Sequence, residues 1–178
     1  MNKKDELYSL TECIPSPVVR AFTLYVLSQA PWQFWQKASS AGKHHPPDEH
    51  GYKGLLIHTI RVVKIGLVIC DSAEGRLNPN IIVSACVLHD ICRYGMGVVN
   101  GGTESQYSVP EHPELAAELI RRLGGLGGSS DGYVADIANA VETHTGRWGK
   151  TAPRNETEWA VHYADCIAAN YHQWESVA

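Results

Sequence analysis

Apolar residues recur along most of the chain at the three-to-four-residue spacing of helices that bury one side. The segment from Gly54 to about Asp71 shows this most clearly, with an apolar face on one side and Arg61 and Lys64 on the other. No segment shows the sustained alternation of a half-buried strand. The pattern predicts an all-α fold. Predicted helices begin near Ser16, Pro31, Gly54, Pro79, Glu111, Tyr133 and Asn155.

The helix that begins at Pro79 differs from the others. Asn78 can cap it, and proline suits a first helical position. Ile81–Leu88 are apolar or small at every helical angle, which is typical of a helix covered on all sides. The helix ends in His89 and Asp90. A buried carboxylate needs a cationic partner, and a metal ion is the simplest partner for adjacent imidazole and carboxylate groups. The alternative is a helix that ends at the surface with both groups hydrated.

Composition narrows the functional classes. The 178 residues carry a formal charge of −4, which disfavours tight, sequence-independent binding to long nucleic acids. The five cysteines are scattered and odd in number, as expected for buried thiols in a reducing cytosol. No stretch resembles a signal peptide or a bilayer span. We therefore expect a cytoplasmic protein with no membrane partner.

Nine histidines are present, and several stand where predicted helices start, end or face inward. A lone histidine such as His58 on an apolar face is more often a hydrogen-bonded core residue than a ligand. Inward-facing histidines and aspartates, however, recur on five helices or helix ends, and a helical bundle could bring them together. The candidate metal ligands are His58, His89, Asp90, His112, His144 and Asp165.

The order of these residues resembles the HD-domain superfamily of metal-dependent phosphohydrolases, over roughly residues 51–169. Five segments carry the resemblance: Gly54-Leu-Leu-Ile-His58-Thr, Val87-Leu-His89-Asp90-Ile, Glu111-His112-Pro113-Glu114-Leu, Glu142-Thr-His144-Thr-Gly146 and Glu158-Trp-Ala-Val-His162-Tyr-Ala-Asp165. Within the superfamily they resemble the HD domain of bacterial 3′–5′ exoribonucleases, and a relaxase-associated HD group shares the start of the first segment. The resemblance implies a single HD-type helical bundle over residues 1–178, with N-terminal helices and a loop over 1–50 and a metal-binding core over 51–175.

Two positions depart from the family pattern. Cys92-Arg93 stands where a Gly-Lys pair follows the His-Asp signature, which keeps a cation but changes its geometry. Thr145 replaces the second histidine of a His-His-Gly turn. We also expect no OB fold within these residues, whereas the exoribonucleases combine one with this domain.

The resemblance also implies a site. His58, His89, Asp90 and Asp165 would bind one divalent metal, and Asp90 would bridge to a second held by His112 and His144. Manganese, iron, cobalt, nickel or zinc would suit these ligands. A hydroxide bridging the two ions would attack phosphorus, while Arg93 neutralises a phosphoryl oxygen. Asp90 and Arg93 are thus the expected catalytic residues.

The sequence also offers candidates for residues that contact the substrate. The candidate contacts are Arg93, Lys64, Arg147 and His45, and a histidine of the 44–50 loop, Lys64 or Arg147 could also protonate the leaving group. His44 and His45 are interpreted, by a small margin, as loop histidines in solvent. Glu104 and Glu111 are interpreted as surface charges.

We expect hydrolysis of nucleotides or short oligonucleotides, since the acidic balance favours small phosphate esters. The long loop over residues 95–110 could gate the pocket. The alternatives are a non-catalytic, metal-containing HD scaffold that binds a nucleotide or protein, and an HD-type oxygenase with two irons. Trp32, Phe34 and Trp35 suit either the core or a homo-oligomer interface.

Overall fold

The computed structural model describes residues 2–39, 45–126 and 132–170. Within these ranges all regular structure is helical, which confirms the predicted all-α class. The α-helices are α1 Lys3–Thr11, α2 Pro17–Ser28, α3 Trp32–Gln36, α4 Gly54–Ser72, α5 Pro79–Leu88, α6 His112–Leu126, α7 Gly132–Glu142 and α8 Glu156–Ala169. Short 3₁₀ turns lie at Pro47–Glu49, Val98–Asn100 and Gly146–Trp148. None of the described helices is long and apolar enough to cross a membrane.

Helix α5 lies at the centre of the bundle. It packs against α2, α4, α7 and α8, and every side chain from Ile81 to Leu88 is buried. Burying each large aliphatic side chain here stabilises the fold by about 1.5–3 kcal/mol. His89 and Asp90 follow directly and are also buried, at 0% and 1% exposure. The interpretation of α5 as a fully covered helix is confirmed, and a hydrated surface end is excluded for these residues.

Side-chain caps form at the predicted helix starts near Pro79 and Asn155. Asn78 Oδ1 accepts a hydrogen bond from the backbone N–H of Asn80 at the start of α5. Asn155 Oδ1 accepts the backbone N–H of Glu158 at 3.0 Å, and Asn155 Nδ2 donates to Glu158 Oε1 at 3.0 Å. These caps satisfy N–H groups that a helix leaves without partners.

Helix α2 is rotated from its predicted orientation. In the sequence Val18, Phe22, Tyr25 and Val26 follow Pro17 at the spacing of a core stripe, but Val18 and Tyr25 are 61% and 46% exposed. The reason is its contact with α5, where Thr23 Oγ1 donates to Ser84 Oγ at 2.7 Å inside the bundle. The residues of α2 that are buried are Val19, Thr23, Val26 and Leu27.

In the sequence the Gly124-Gly125 pair predicts the end of the helix that begins near Glu111, but α6 continues through both glycines to Leu126, where the described range ends. A Cβ at Gly124 would lie 2.5 Å from Val134 Cγ1 of α7. Glycine at this position is required for close packing of α6 on α7, so it does not act here as a helix stop.

Candidate metal centre

The fold brings the six predicted ligands together around the end of α5. His58 lies on α4, His112 begins α6, and Asp165 lies on α8. His89 and Asp90 follow α5, and His144 follows α7. The helices converge because α4, α7 and α8 all pack against α5, and α6 packs against α7. The side chains of the five residues other than Asp165 are almost completely buried, while Asp165 is about one-fifth exposed (20%).

Asp90 divides this cluster into two groups of ligand atoms. Its Oδ2 lies 3.6 Å from His89 Nε2, and its Oδ1 lies 2.9 Å from His112 Nε2 and 3.6 Å from His144 Nε2. On the Oδ2 side, Asp165 Oδ1 lies 4.0 Å from His89 Nε2 and 3.0 Å from His58 Nε2. The first group is therefore His58, His89, Asp90 and Asp165. The second is Asp90, His112 and His144.

Backbone carbonyls set the tautomer of three of these histidines. The Nδ1 atoms of His89, His112 and His144 lie 2.9, 2.8 and 2.7 Å from the carbonyl oxygens of Cys86, Val109 and Val141. A carbonyl only accepts, so each Nδ1 carries a proton, and in its neutral form each ring directs the Nε2 lone pair inward.

The inward lone pairs require a cation. His89 Nε2 is buried and has no hydrogen-bond partner among the described residues. His112 Nε2 and His144 Nε2 lie only 3.4 Å apart. Nitrogen lone pairs that converge with two carboxylates are the donor set of a divalent metal, and the carbonyls that orient the rings are typical of metal-bound histidines. The residues present therefore fit a metal centre.

Electrostatics keeps most of the ligands in the state that metal binding needs. Burial lowers the pKa of His89 to about 4, so its imidazole is neutral. Burial acts to raise the pKa of Asp90, but Arg93 and the neighbouring histidines hold it well below its usual value. For Asp165 burial is likewise outweighed, by His58 and then His89, and its pKa is lowered. Both carboxylates are thus ionised at neutral pH.

Glu49 is a buried residue of this centre that the sequence analysis missed. Its carboxylate is fully buried, and Oε2 lies 2.7 Å from His45 Nδ1 and 3.2 Å from His58 Nδ1. The other oxygen pairs with Arg61. Glu49 Oε2 therefore lies beside the outer nitrogen of a metal-ligand candidate, and this Nδ1 has no hydrogen-bond partner among the described residues. The only sequence signal was its spacing of four residues from His45.

Glu49→Gln is expected to weaken divalent-metal binding by ~10–100-fold, because the carboxylate beside His58 raises the basicity of the ligand. The measurement is a competition titration of Zn²⁺ or Mn²⁺ against a chelator. Asp48→Asn is the matched control, since Asp48 also pairs with Arg61 but is half exposed. Equal metal affinity in the two variants would show that Glu49 has no role in orienting His58.

His45 is buried, so its interpretation as a solvent histidine is wrong. It is 9% exposed, its ring lies 4.8 Å from that of His58, and Ser39 Oγ lies 3.1 Å from its Nδ1. Burial lowers its pKa to about 3, so the ring is neutral. His44 and His172 lie outside the described residues.

A cavity of about 450 Å³ opens beside the metal centre. Its walls include His45, Arg93, Thr145, Trp148, Asp165 and Cys166. Arg93 donates from Nη1 to both oxygens of Asp90, at 3.2 and 3.3 Å. Trp148 stands at the edge with 69% of its surface exposed, and the Arg147 guanidinium lies 4.7 Å from the centre of its ring.

Other predicted positions lie away from this cavity. Lys64 is exposed and its Nζ binds Glu6 Oε1 of α1 at 2.6 Å, so the structure places it outside the site. No residue of the 95–110 loop is among the described residues that line the cavity. The loop contributes to the site through its C-terminal end, where the Val109 carbonyl oxygen accepts a hydrogen bond from His112 Nδ1. Glu104 and Glu111 are exposed, as predicted.

Comparison with protein families gives one match, to the HD domain, over residues 55–170. This covers well over half of the 178-residue chain. The chain belongs to the HD-domain family. HD domains form a superfamily of metal-dependent phosphohydrolases, and the all-helical fold agrees with this membership. No curated protein and no solved structure gave a significant match to this HD domain. Its similarity to the exoribonuclease subgroup stays a prediction.

Proposed function

We propose that this HD domain hydrolyses small phosphate esters, namely nucleotides or short oligonucleotides, at its metal centre. The observation that carries the proposal is the convergence of inward Nε2 lone pairs and two ionised carboxylates at the wall of an open cavity. A divalent ion bound there supplies Lewis acidity, which acidifies a water molecule and polarises a phosphoryl oxygen.

Arg93 and Asp90 are the residues that we expect to act in the reaction. The guanidinium lies at the cavity wall next to the ligand atoms, so a phosphoryl oxygen entering the cavity can accept a charge-assisted hydrogen bond from it. Asp90 holds the guanidinium in place through two contacts and directs both oxygens at the cluster. The pair thus neutralises and orients the reacting group.

The cavity supports a small substrate. A volume of about 450 Å³ lies within the range of small-molecule sites. His45, with Nδ1 engaged by Glu49, can accept a hydrogen bond from a sugar hydroxyl through Nε2. The exposed ring of Trp148 and the neighbouring Arg147 suit contact with a nucleobase. Lys64 is no longer included among the proposed contacts.

The test is a hydrolysis screen on protein purified without chelator. Substrates are bis-p-nitrophenyl phosphate, nucleoside mono-, di- and triphosphates and short oligonucleotides, each with added Mn²⁺. We expect release of nitrophenol from the generic ester and of phosphate or mononucleotides from the others, and its loss with chelator. Bound metal without hydrolysis of any ester would contradict the proposal and favour the non-catalytic scaffold. Turnover that requires oxygen would favour the oxygenase.

A further inference from the structure

A groove of about 300 Å³ lies between α1, α3 and the start of α4, and its walls are aromatic and basic. The rings in its walls are Trp32, Trp35 and Tyr52, and the charged residues are Lys4 and Lys53. No carboxylate lines it among the described residues, and none of its lining residues lines the cavity beside the metal centre. The groove is therefore a separate, locally positive surface on a chain whose overall charge is −4.

Two of the rings in this groove are large and exposed. Trp32 is 50% exposed and Tyr52 is 70% exposed, and neither contacts another ring among the described residues. Trp35, in contrast, is held in place: it stacks on Tyr8 with the ring centres 6.2 Å apart and packs edge-on against Phe34 at 5.0 Å. Exposed aromatic rings in a concave surface are typical of a face that a ligand covers, and rings prefer ligands that stack on them.

A lysine ammonium group lies over each of the three rings in the groove. The distances from Nζ to the ring centre are 4.5 Å for Lys4 and Trp35, 5.2 Å for Lys53 and Tyr52, and 5.9 Å for Lys37 and Trp32. Within the described ranges none of these lysines pairs with a carboxylate, whereas Lys3 and Lys64 both pair with Glu6. The only hydrogen bond of their ammonium groups there joins Lys37 to the Gln106 carbonyl, at 3.5 Å. Three positive charges are thus available to an anionic ligand.

A ligand with planar rings and repeated negative charges matches this groove. Single-stranded nucleic acid has both, since its bases stack on aromatic side chains and its phosphates contact cations. A second copy of the chain fits poorly, because a two-fold interface would place the three lysines of each copy against those of the other. A bilayer also fits poorly, because the exposed side chains of α1, which borders the groove, are all polar or charged.

We propose that this groove binds a short segment of single-stranded RNA or DNA. Bases stack on Trp32 and Tyr52, and phosphates contact Lys4, Lys37 and Lys53. Binding has no sequence preference, because every base has a face that can stack. It does not depend on the proposed hydrolysis, since the groove and the metal-centre cavity share no lining residue.

The test is fluorescence anisotropy of labelled oligo(dT) and oligo(U), each about ten nucleotides long, titrated with the full chain. Strand length is checked on a gel after each titration. Three neutralised phosphates predict a loss of affinity of about 20-fold between about 50 and about 200 mM salt. Trp32→Ala is expected to weaken binding ~10-fold through lost stacking. Lys4→Gln combined with Lys53→Gln is expected to reduce the effect of salt to about threefold, because one contacting lysine remains.

Trp159→Ala and Lys64→Gln are the matched controls and should bind both strands as wild type does. Trp159 is a partly exposed tryptophan of α8, and Lys64 is a lysine of α4 that pairs with Glu6. Tyr52→Ala keeps the test decisive if Trp32→Ala folds poorly, because the Tyr52 ring is more exposed. It is also expected to weaken binding ~10-fold.

Wild-type protein that binds neither strand would overturn the proposal, as would strand binding that folded Trp32→Ala and Tyr52→Ala leave unchanged. Binding to phosphatidylserine vesicles in place of the strands would overturn it in favour of a membrane surface. Self-association that Trp32→Ala abolishes, without strand binding, would overturn it in favour of a second copy.

Hydrolysis of bis-p-nitrophenyl phosphate is measured separately on wild-type protein. Hydrolysis of this ester without strand binding would reject the proposed groove and leave the proposed function in place. Strand binding without hydrolysis of any phosphate ester would support the groove and reject the proposed function.

Discussion

Asp90→Asn is expected to lower the rate of phosphate-ester hydrolysis by at least ~10³-fold and to release bound metal. Asp90 supplies ligand atoms to both groups of the centre and holds Arg93, so its loss removes charge stabilisation worth several kcal/mol, each 1.36 kcal/mol being about tenfold in rate. The measurements are kcat/KM for the best substrate of the screen and metal content per chain.

Asp71→Asn is the control for this experiment, because Asp71 is an exposed carboxylate at the C-terminal end of α4, whereas His58 lies near the N-terminal end. Its activity and metal content should match wild type. Chelator should lower the Tm of wild type and of Asp71→Asn, since a ligand of the folded state stabilises it, and should leave the Tm of Asp90→Asn almost unchanged. An Asp90→Asn variant with normal metal content would show that Asp90 is not a ligand of the metal centre.

Gly54→Ala is expected to have the largest effect on stability, with a loss of about 3 kcal/mol and a fall in Tm of ~6–12 °C. A Cβ at Gly54 would collide with the backbone carbonyl of Glu49, where no side-chain rotation can relieve the overlap. The collision also displaces the carboxylate that contacts His45 and His58. Metal affinity should therefore fall together with stability.

The measurement for Gly54→Ala is thermal unfolding with and without chelator, followed by the metal competition titration. Gly51→Ala is the matched control from the same turn, because a Cβ there meets nothing within 4 Å. Its Tm should lie within about 2 °C of wild type, as for surface substitutions that touch nothing. A Gly54→Ala variant with the Tm and metal affinity of Gly51→Ala would show that the turn adapts without cost.

Much of the helical framework could be predicted from local sequence. The periodicity of α4, the apolar run of α5 and the caps at Asn78 and Asn155 all act over distances of a few residues. The orientation of α2 could not be predicted from local sequence, because Val18 and Val19 are equally apolar. Only the contact with α5 decides which of them is buried.

Some residues of the site could likewise be predicted from the sequence, and others could not. The six ligand candidates could be named because each lies in a segment that resembles the HD family, and helix packing brings all six together. Lys64 had suitable chemistry but lies on the outer face of α4, paired with Glu6. Side-chain chemistry alone does not tell which face of a helix will border the cavity.

By itself, the sequence determined the all-α class, the central place of α5 and the set of inward histidines and aspartates. The first two follow from periodicity, and the third follows from residue type together with segments that resemble the HD family. Only the tertiary structure decided that Glu49 and His45 are buried, that Asp90 presents its two oxygens to different groups, and that Arg93 reaches His112. Each of these depends on where the ends of helices and loops meet after long-range packing, which no local pattern of apolar and polar residues encodes.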